Sequence, residues 1–91
     1  MVGSNMKEFV VYSKDACPYC EQAKALLTRK GREFQELKLE RDLTREEVLE
    51  AIQYYGHGRT MPMIIRHDDN GNTERVGGYQ ELVKFFETEE K

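Results

Sequence analysis

Tryptophan is absent from this chain, and only two prolines and two cysteines occur in its 91 residues. Two cysteines are too few for the disulfide-dense frameworks of small secreted domains. They are also too few for paired Cys-x-x-Cys zinc knuckles, and the only other soft ligands, His57 and His67, lie far downstream. No run approaches the ~20 apolar residues of a membrane span. No apolar stretch follows Met1, so no signal peptide is expected. Charge of one sign is also lacking: 14 basic and 17 acidic residues are interspersed, for a net charge of −3. Without a basic stripe, a nucleic-acid partner is not expected. No internal repeat or low-complexity segment occurs. Residues 1–5 read as an expression remnant or a flexible N-terminus, and residues 6–91 as one domain. A hydrophobic content of 38% suffices for one modest core.

What is present is concentrated at Cys17-Pro18-Tyr19-Cys20, directly before the amphipathic stretch Glu21–Thr28. This spacing puts one sulfur at a helix start and the other about one turn in, on the same side. Pro18 falls in the first turn, where its missing N–H costs nothing. Unpaired N–H groups and the positive dipole end favour a thiolate at Cys17. Such settings commonly lower thiol pKa to about 3.5–7.5, and the thiolate is the attacking species in disulfide exchange. Three other readings of the pair stay open. One is a zinc site, which would need two further ligands. The second is an inert disulfide, which would constrain the unfolded chain little across so short a loop. The third is an iron–sulfur cluster bridging two protomers.

The rest of the chain alternates strand and helix signals. Glu8–Ser13 is apolar and β-branched and predicts a buried strand. The first helix is expected from Pro18 to Lys30, with Ala23, Leu26 and Leu27 as its apolar stripe and Gly31 as its stop. Phe34–Leu39 alternates and predicts a half-exposed strand. Thr44 followed by Glu47 is a capping box that opens a second helix. That helix carries Val48, Ile52 and Tyr55 on one face with Leu49 beside them, and ends at Gly56-His-Gly58. Met61–Ile65 leads from a short loop into a strand. Asp68–Gly71 signals a hairpin turn, and Thr73–Val76 the return strand. Gly77-Gly78 breaks the pattern before a last helix over Tyr79–Glu87. The order β-α-β-α-β-β-α predicts a four-stranded mixed sheet with helices on its faces. Its first strand pair should be parallel and its last pair antiparallel. The histidines are expected at the surface.

Lys14, Cys17-Pro-Tyr-Cys20, Ala23-Lys-Ala-Leu-Leu27 with Lys30-Gly31, Phe34-Gln-Glu-Leu37, Thr60-Met-Pro62 and Gly77-Gly78, in this order, resemble a dithiol glutaredoxin of the small bacterial or bacteriophage type. The resemblance implies a thioredoxin fold and glutathione as co-substrate. Two cysteines confined to one reactive motif point to a reducing, cytoplasmic setting, and a monomer without a metal is expected. The resemblance also implies disulfide-bearing protein substrates, ribonucleotide reductase among them. It implies that Cys17 is the nucleophile and Cys20 the resolving thiol. Lys14 and Arg59 would meet a glutathione carboxylate, and Tyr19 would border the site. Thr60 and Met61 would offer backbone groups to the glutathione cysteine beside a cis Pro62. Gly78, Tyr79 and Gln80 would hold the γ-glutamyl end at a helix N-terminus.

Each feature also has a plainer reading. Pro62 could be a trans strand-entry proline, Gly77-Gly78 a turn, Tyr19 a loop aromatic, and Lys14 and Arg59 solvated charges. The sequence departs from the family pattern where relatives carry an acidic pair after Gly-Gly and a small residue. Gln80 supplies no negative charge there, which leaves the glutathione ammonium without an obvious partner. Met61 stands where valine is usual, and the hairpin around Asp68–Gly71 is longer than in the smallest relatives. Two alternatives differ from glutathione-driven exchange: a thioredoxin-like carrier reduced by a flavin reductase, and a non-catalytic metal or iron–sulfur module.

Overall fold

The computed structural model describes residues 7–58 and 60–89. Seven elements follow one another: β1 (Phe9–Ser13), α1 (Pro18–Arg29), β2 (Phe34–Lys38), α2 (Arg45–Tyr55), β3 (Met63–His67), β4 (Thr73–Gly77) and α3 (Tyr79–Glu89). The strands form one sheet in the order β2-β1-β3-β4. β1 lies parallel to β2, with Phe9 opposite Phe34, because helix α1 returns the chain to the same sheet end. β3 runs antiparallel to β1, and it runs antiparallel to β4 as the tight 68–72 connection requires.

Alternation along the strands divides the core. Phe9 and Val11 of β1 and Ile64 of β3 face α1 and α3, where they pack with Ala23, Leu27, Leu82 and Phe86. Val10 and Tyr12 face the other way, toward Val48 and Ile52 of α2 and toward Met63 and Ile65. One face of the sheet thus carries two helices and the other carries one. This is the expected thioredoxin-type architecture.

The expected helix ends hold in detail. Thr44 Oγ1 accepts from the Glu47 N–H at 3.1 Å, and Glu47 Oε1 accepts from the Thr44 N–H at 2.8 Å. Beyond α1, Gly31 takes φ +69 and Arg32 N–H bonds the Leu27 carbonyl at 3.0 Å, which closes the helix. The differences lie at other boundaries. β1 starts at Phe9 rather than Glu8, although the Glu8 carbonyl still accepts from the His67 N–H at 2.8 Å. β2 ends at Lys38, since Leu39 makes only an isolated bridge to Leu43. β3 continues past Ile65 to His67, because Arg66 pairs with Phe9 across the ladder despite its polarity. α3 runs on to Glu89. Both histidines are half-buried rather than on the surface. No described helix is long and apolar enough to cross a membrane.

An ionic cluster ties the sheet end remote from the cysteines. Glu8 accepts from Arg32 Nε at 2.9 Å and Nη2 at 2.6 Å, and from Arg66 Nε at 3.2 Å. The Arg32 hydrogen bonds, aided by Arg66 and opposed by partial burial, hold the Glu8 carboxyl below its ordinary value near 4.5. A depressed carboxyl stabilises the fold above its unfolded pKa and stops doing so as pH falls through its folded pKa. Glu8→Gln should therefore lower stability by about 1 kcal/mol at neutral pH, after solvent screening. It should also flatten the loss of stability below pH 4.5, read from urea midpoints across pH.

Candidate active site

The turn out of β1 reaches α1 through Ala16, which adopts a left-handed φ of 54°. Cys17 is the N-cap, with extended backbone, and its sulfur accepts from the Cys20 N–H at 3.2 Å. That is one of the helix's unpaired donors, aimed at the atom that would carry negative charge. Pro18 follows in the first turn, as expected. Cys17 and Cys20 form a disulfide, with Cα atoms 5.2 Å apart. Cys17 is 8% exposed and Cys20 is fully enclosed, so reagents reach the pair from the Cys17 side.

Opposite stands the loop into β3. The Met61–Pro62 peptide is cis, and the Met61 carbonyl oxygen lies 3.8 Å from Cys17 Sγ. The third wall is the start of α3. A Cβ at Gly78 would come within 3.6 Å of the Pro62 carbonyl and 3.3 Å of the Glu81 carboxylate, so a bare backbone suits this close approach. Tyr19, 54% exposed, stacks on Tyr79 with ring centroids 6.1 Å apart and links the α1 and α3 walls. Together these walls enclose an open groove of about 500 Å³ beside Cys17.

The groove gathers Lys14, Cys17, Tyr19, Thr60, Met61, Pro62, Gly78, Tyr79 and Gln80, all expected at the site. Cys20 lies behind them, and Arg59 falls outside the described residues. Ala16, Pro18 and Glu81 also line the groove, and the sequence reading gave none of them a binding role. Glu81 Oε1 accepts from the Gly78 N–H at 2.9 Å. That hydrogen bond, with one to its own backbone N–H, keeps its carboxyl below the ordinary carboxylate range. An acid thus stands at this helix start, one position beyond Gln80. The signal was available, because an acid three residues after a helix N-cap reaches back to the N-cap N–H. Among the described residues no group of three or more His, Cys, Asp or Glu stands close enough to hold a metal ion.

Known proteins carry the same pattern. The family model described as Glutaredoxin matches residues 9–69. Glutaredoxin 3 of Escherichia coli (strain K12) is 36% identical over 77 residues, covering 85% of this chain and 83% of that protein. Glutaredoxin 1 of Rickettsia prowazekii is 33% identical over 88 residues, covering 89% of this chain and 92% of that protein. The solution structure of glutaredoxin from Brucella melitensis superposes with a TM-score of 0.68 at 33% identity, over 93% of this chain and 84% of that one. A crystal structure of a buckwheat glutaredoxin–glutathione complex superposes with a TM-score of 0.71 at 25% identity, over 90% and 70%. With the family match spanning β1 to the β3–β4 turn, and a Cys-Pro-Tyr-Cys dithiol heading α1 beside a cis proline, the chain belongs to the glutaredoxin family of thiol–disulfide oxidoreductases.

Proposed function

We propose that this groove binds glutathione and that the chain uses it to reduce glutathione mixed disulfides and protein disulfides. The observation that carries the reading is the position of Cys17. Its sulfur takes a helix N-terminal N–H at 3.2 Å and borders an open groove of about 500 Å³. The buckwheat relative, solved as a glutathione complex, supports the same ligand class.

In the reduced protein the Cys17 thiolate attacks the sulfur of a glutathionylated cysteine on the glutathione side. A Cys17–glutathione disulfide forms, and the substrate leaves as a thiolate. A second glutathione thiolate attacks that disulfide, releases oxidised glutathione and restores Cys17. On a protein disulfide, Cys17 forms a mixed disulfide with one substrate sulfur and the other leaves. Cys20, deprotonated, then attacks Cys17 Sγ, frees the second substrate thiol and closes the Cys17–Cys20 disulfide. Two glutathiones reopen it, and two electrons pass in all.

Within the groove, Lys14 meets a glutathione carboxylate, while Thr60 and Met61 offer backbone groups to its cysteine. The Tyr79 and Gln80 N–H groups receive the γ-glutamyl carboxylate at the α3 N-terminus, and Gly78, whose own N–H is held by Glu81, lets the ligand approach the backbone closely. Tyr19 closes the side, and Glu81 answers the ammonium. Ribonucleotide reductase is a protein substrate of the kind the chemistry fits, and the protein acts as a monomer in the cytoplasm. The test is an NADPH-coupled assay on a small mixed disulfide with glutathione as reductant. Saturable turnover is expected; turnover only with a flavin reductase would overturn the reading.

Two substitutions probe the charges. Lys14→Ala should raise KM for glutathione about threefold, with an effect that shrinks as salt is added. Glu81→Gln keeps an acceptor for the Gly78 N–H and removes only the charge. It too should raise KM about threefold, whereas Gln80→Asp should change it little. A large gain from Gln80→Asp would place the ammonium elsewhere.

A further inference from the structure

His57 lies outside the groove yet touches what builds it. It follows Gly56, the C-cap of α2, and its backbone N–H already bonds the Ile52 carbonyl at 2.9 Å. The side chain is therefore not needed to finish the helix. Its ring is engaged at both nitrogens. Nε2 lies 3.1 Å from the Thr60 carbonyl oxygen, and Nδ1 lies 3.2 Å from a guanidinium nitrogen of Arg75.

A carbonyl oxygen only accepts and a guanidinium only donates. The two neighbours thus select one neutral tautomer, with Nδ1 bare and accepting from Arg75, and Nε2–H donating to Thr60. Thr60 and Met61 form the groove wall that stands 3.8 Å from Cys17 Sγ at the Met61 oxygen. Arg75 belongs to β4, opposite Ile65 and two residues before Gly77, so it rides on the strand that delivers the opposite wall. Its charge also acts on the Glu81 carboxylate. The imidazole is a strut between the loop carrying one wall and the strand leading to the other.

Building on the glutathione reading of the groove, we propose that His57, held by Arg75 as its Nε2–H tautomer, is a positioning residue that fixes the Thr60–Met61 wall opposite Cys17 and so sets the affinity for glutathione rather than the rate of sulfur exchange. A neutral hydrogen bond of this kind contributes about five- to tenfold to an equilibrium. His57→Ala should therefore raise KM for glutathione by about that factor, with kcat falling no more than about twofold. His57→Gln, whose amide can still donate to Thr60, should recover most of the loss.

Nitrogen-detected NMR of the reduced wild-type protein tests the strut without glutathione. His57 should show a bare Nδ1 and a protonated Nε2, and Arg75→Met should abolish that preference. The Thr60 and Met61 amide signals should shift in His57→Ala while those of Phe9 and Leu27 in the core stay in place. An Nδ1–H tautomer in the wild type, unmoved Thr60 and Met61 signals, or a loss confined to kcat would each overturn the proposal. If the NMR results hold while the wild type shows no saturation by glutathione, the strut stands as a wall-positioning device and the glutathione reading fails.

Discussion

Replacing Cys17 with serine should abolish reduction of both a small glutathione mixed disulfide and a protein disulfide. Cys20→Ser should retain the first activity and lose the second. The two sulfurs are three residues apart, but the helix start treats them differently. Cys17 is the N-cap, its sulfur accepts the Cys20 N–H, and it borders the groove. Cys20 lies inside the helix and is fully enclosed. A thiolate at Cys17 is stabilised by the dipole end and the N–H donor, and incoming disulfides reach it first. Cys20 needs only to reach Cys17 Sγ, which the 5.2 Å Cα separation permits. The check is the pair of coupled assays together with iodoacetamide mapping of the reduced protein at neutral pH. Alkylation of Cys20 in preference to Cys17 would reverse the assignment. The loss in Cys17→Ser should exceed a thousandfold, since no other thiol remains in the groove to open the substrate disulfide.

The second large effect is expected at Gly77. This residue ends β4, is buried and adopts φ +124, a conformation open to few residues other than glycine. A Cβ placed there would lie 2.7 Å from both Cβ and Cγ of Glu81. Gly77→Ala therefore meets backbone strain and steric overlap together, each typically costing about 1–3 kcal/mol. Relief requires the first turn of α3 to move, which carries Gly78, Tyr79, Gln80 and Glu81 out of place. Stability should drop by about 2–4 kcal/mol, and KM for glutathione should rise in whatever fraction remains folded. Two other glycines separate the contributions. Gly31 has φ +69 with open space around its Cβ position, so Gly31→Ala isolates strain at about 1 kcal/mol. Gly58 has open space and no positive φ, so Gly58→Ala should be near neutral. Urea midpoints of the three variants decide the order. An unchanged midpoint for Gly77→Ala would show that the α3 start is not braced against β4.

Most of the architecture was legible because its signals are local. Thr44 and Glu47 announce a helix start by side chains that bond the nearest backbone groups, and they do so here. Gly31 and Gly56 end helices by conformations other residues resist. Alternation in β1 sends Phe9 and Val11 one way and Val10 and Tyr12 the other, as period-two side-chain geometry demands. Cys17-Pro-Tyr-Cys20 ahead of an amphipathic run specifies a thiol at a helix N-terminus, whatever the rest of the chain does.

The remainder depended on contacts between distant segments. Arg66 and His67 belong to β3 because β1 lies alongside them, and nothing in their polarity says so. The Glu8 carboxylate pairs with Arg32 and Arg66, 24 and 58 positions away. The groove needs α1, the β3 entry loop and the α3 start together, which the strand order β2-β1-β3-β4 provides. His57 carried no signal in sequence, because its meaning lies in Thr60 on one side of the ring and Arg75 on the other. The sequence by itself determined the order of the elements and the sulfur at the α1 start, because caps, turns and periodicity act within a few residues. Only the tertiary structure decided which backbone groups face that sulfur and which side chains hold them there, because those positions follow from packing between segments far apart in the chain.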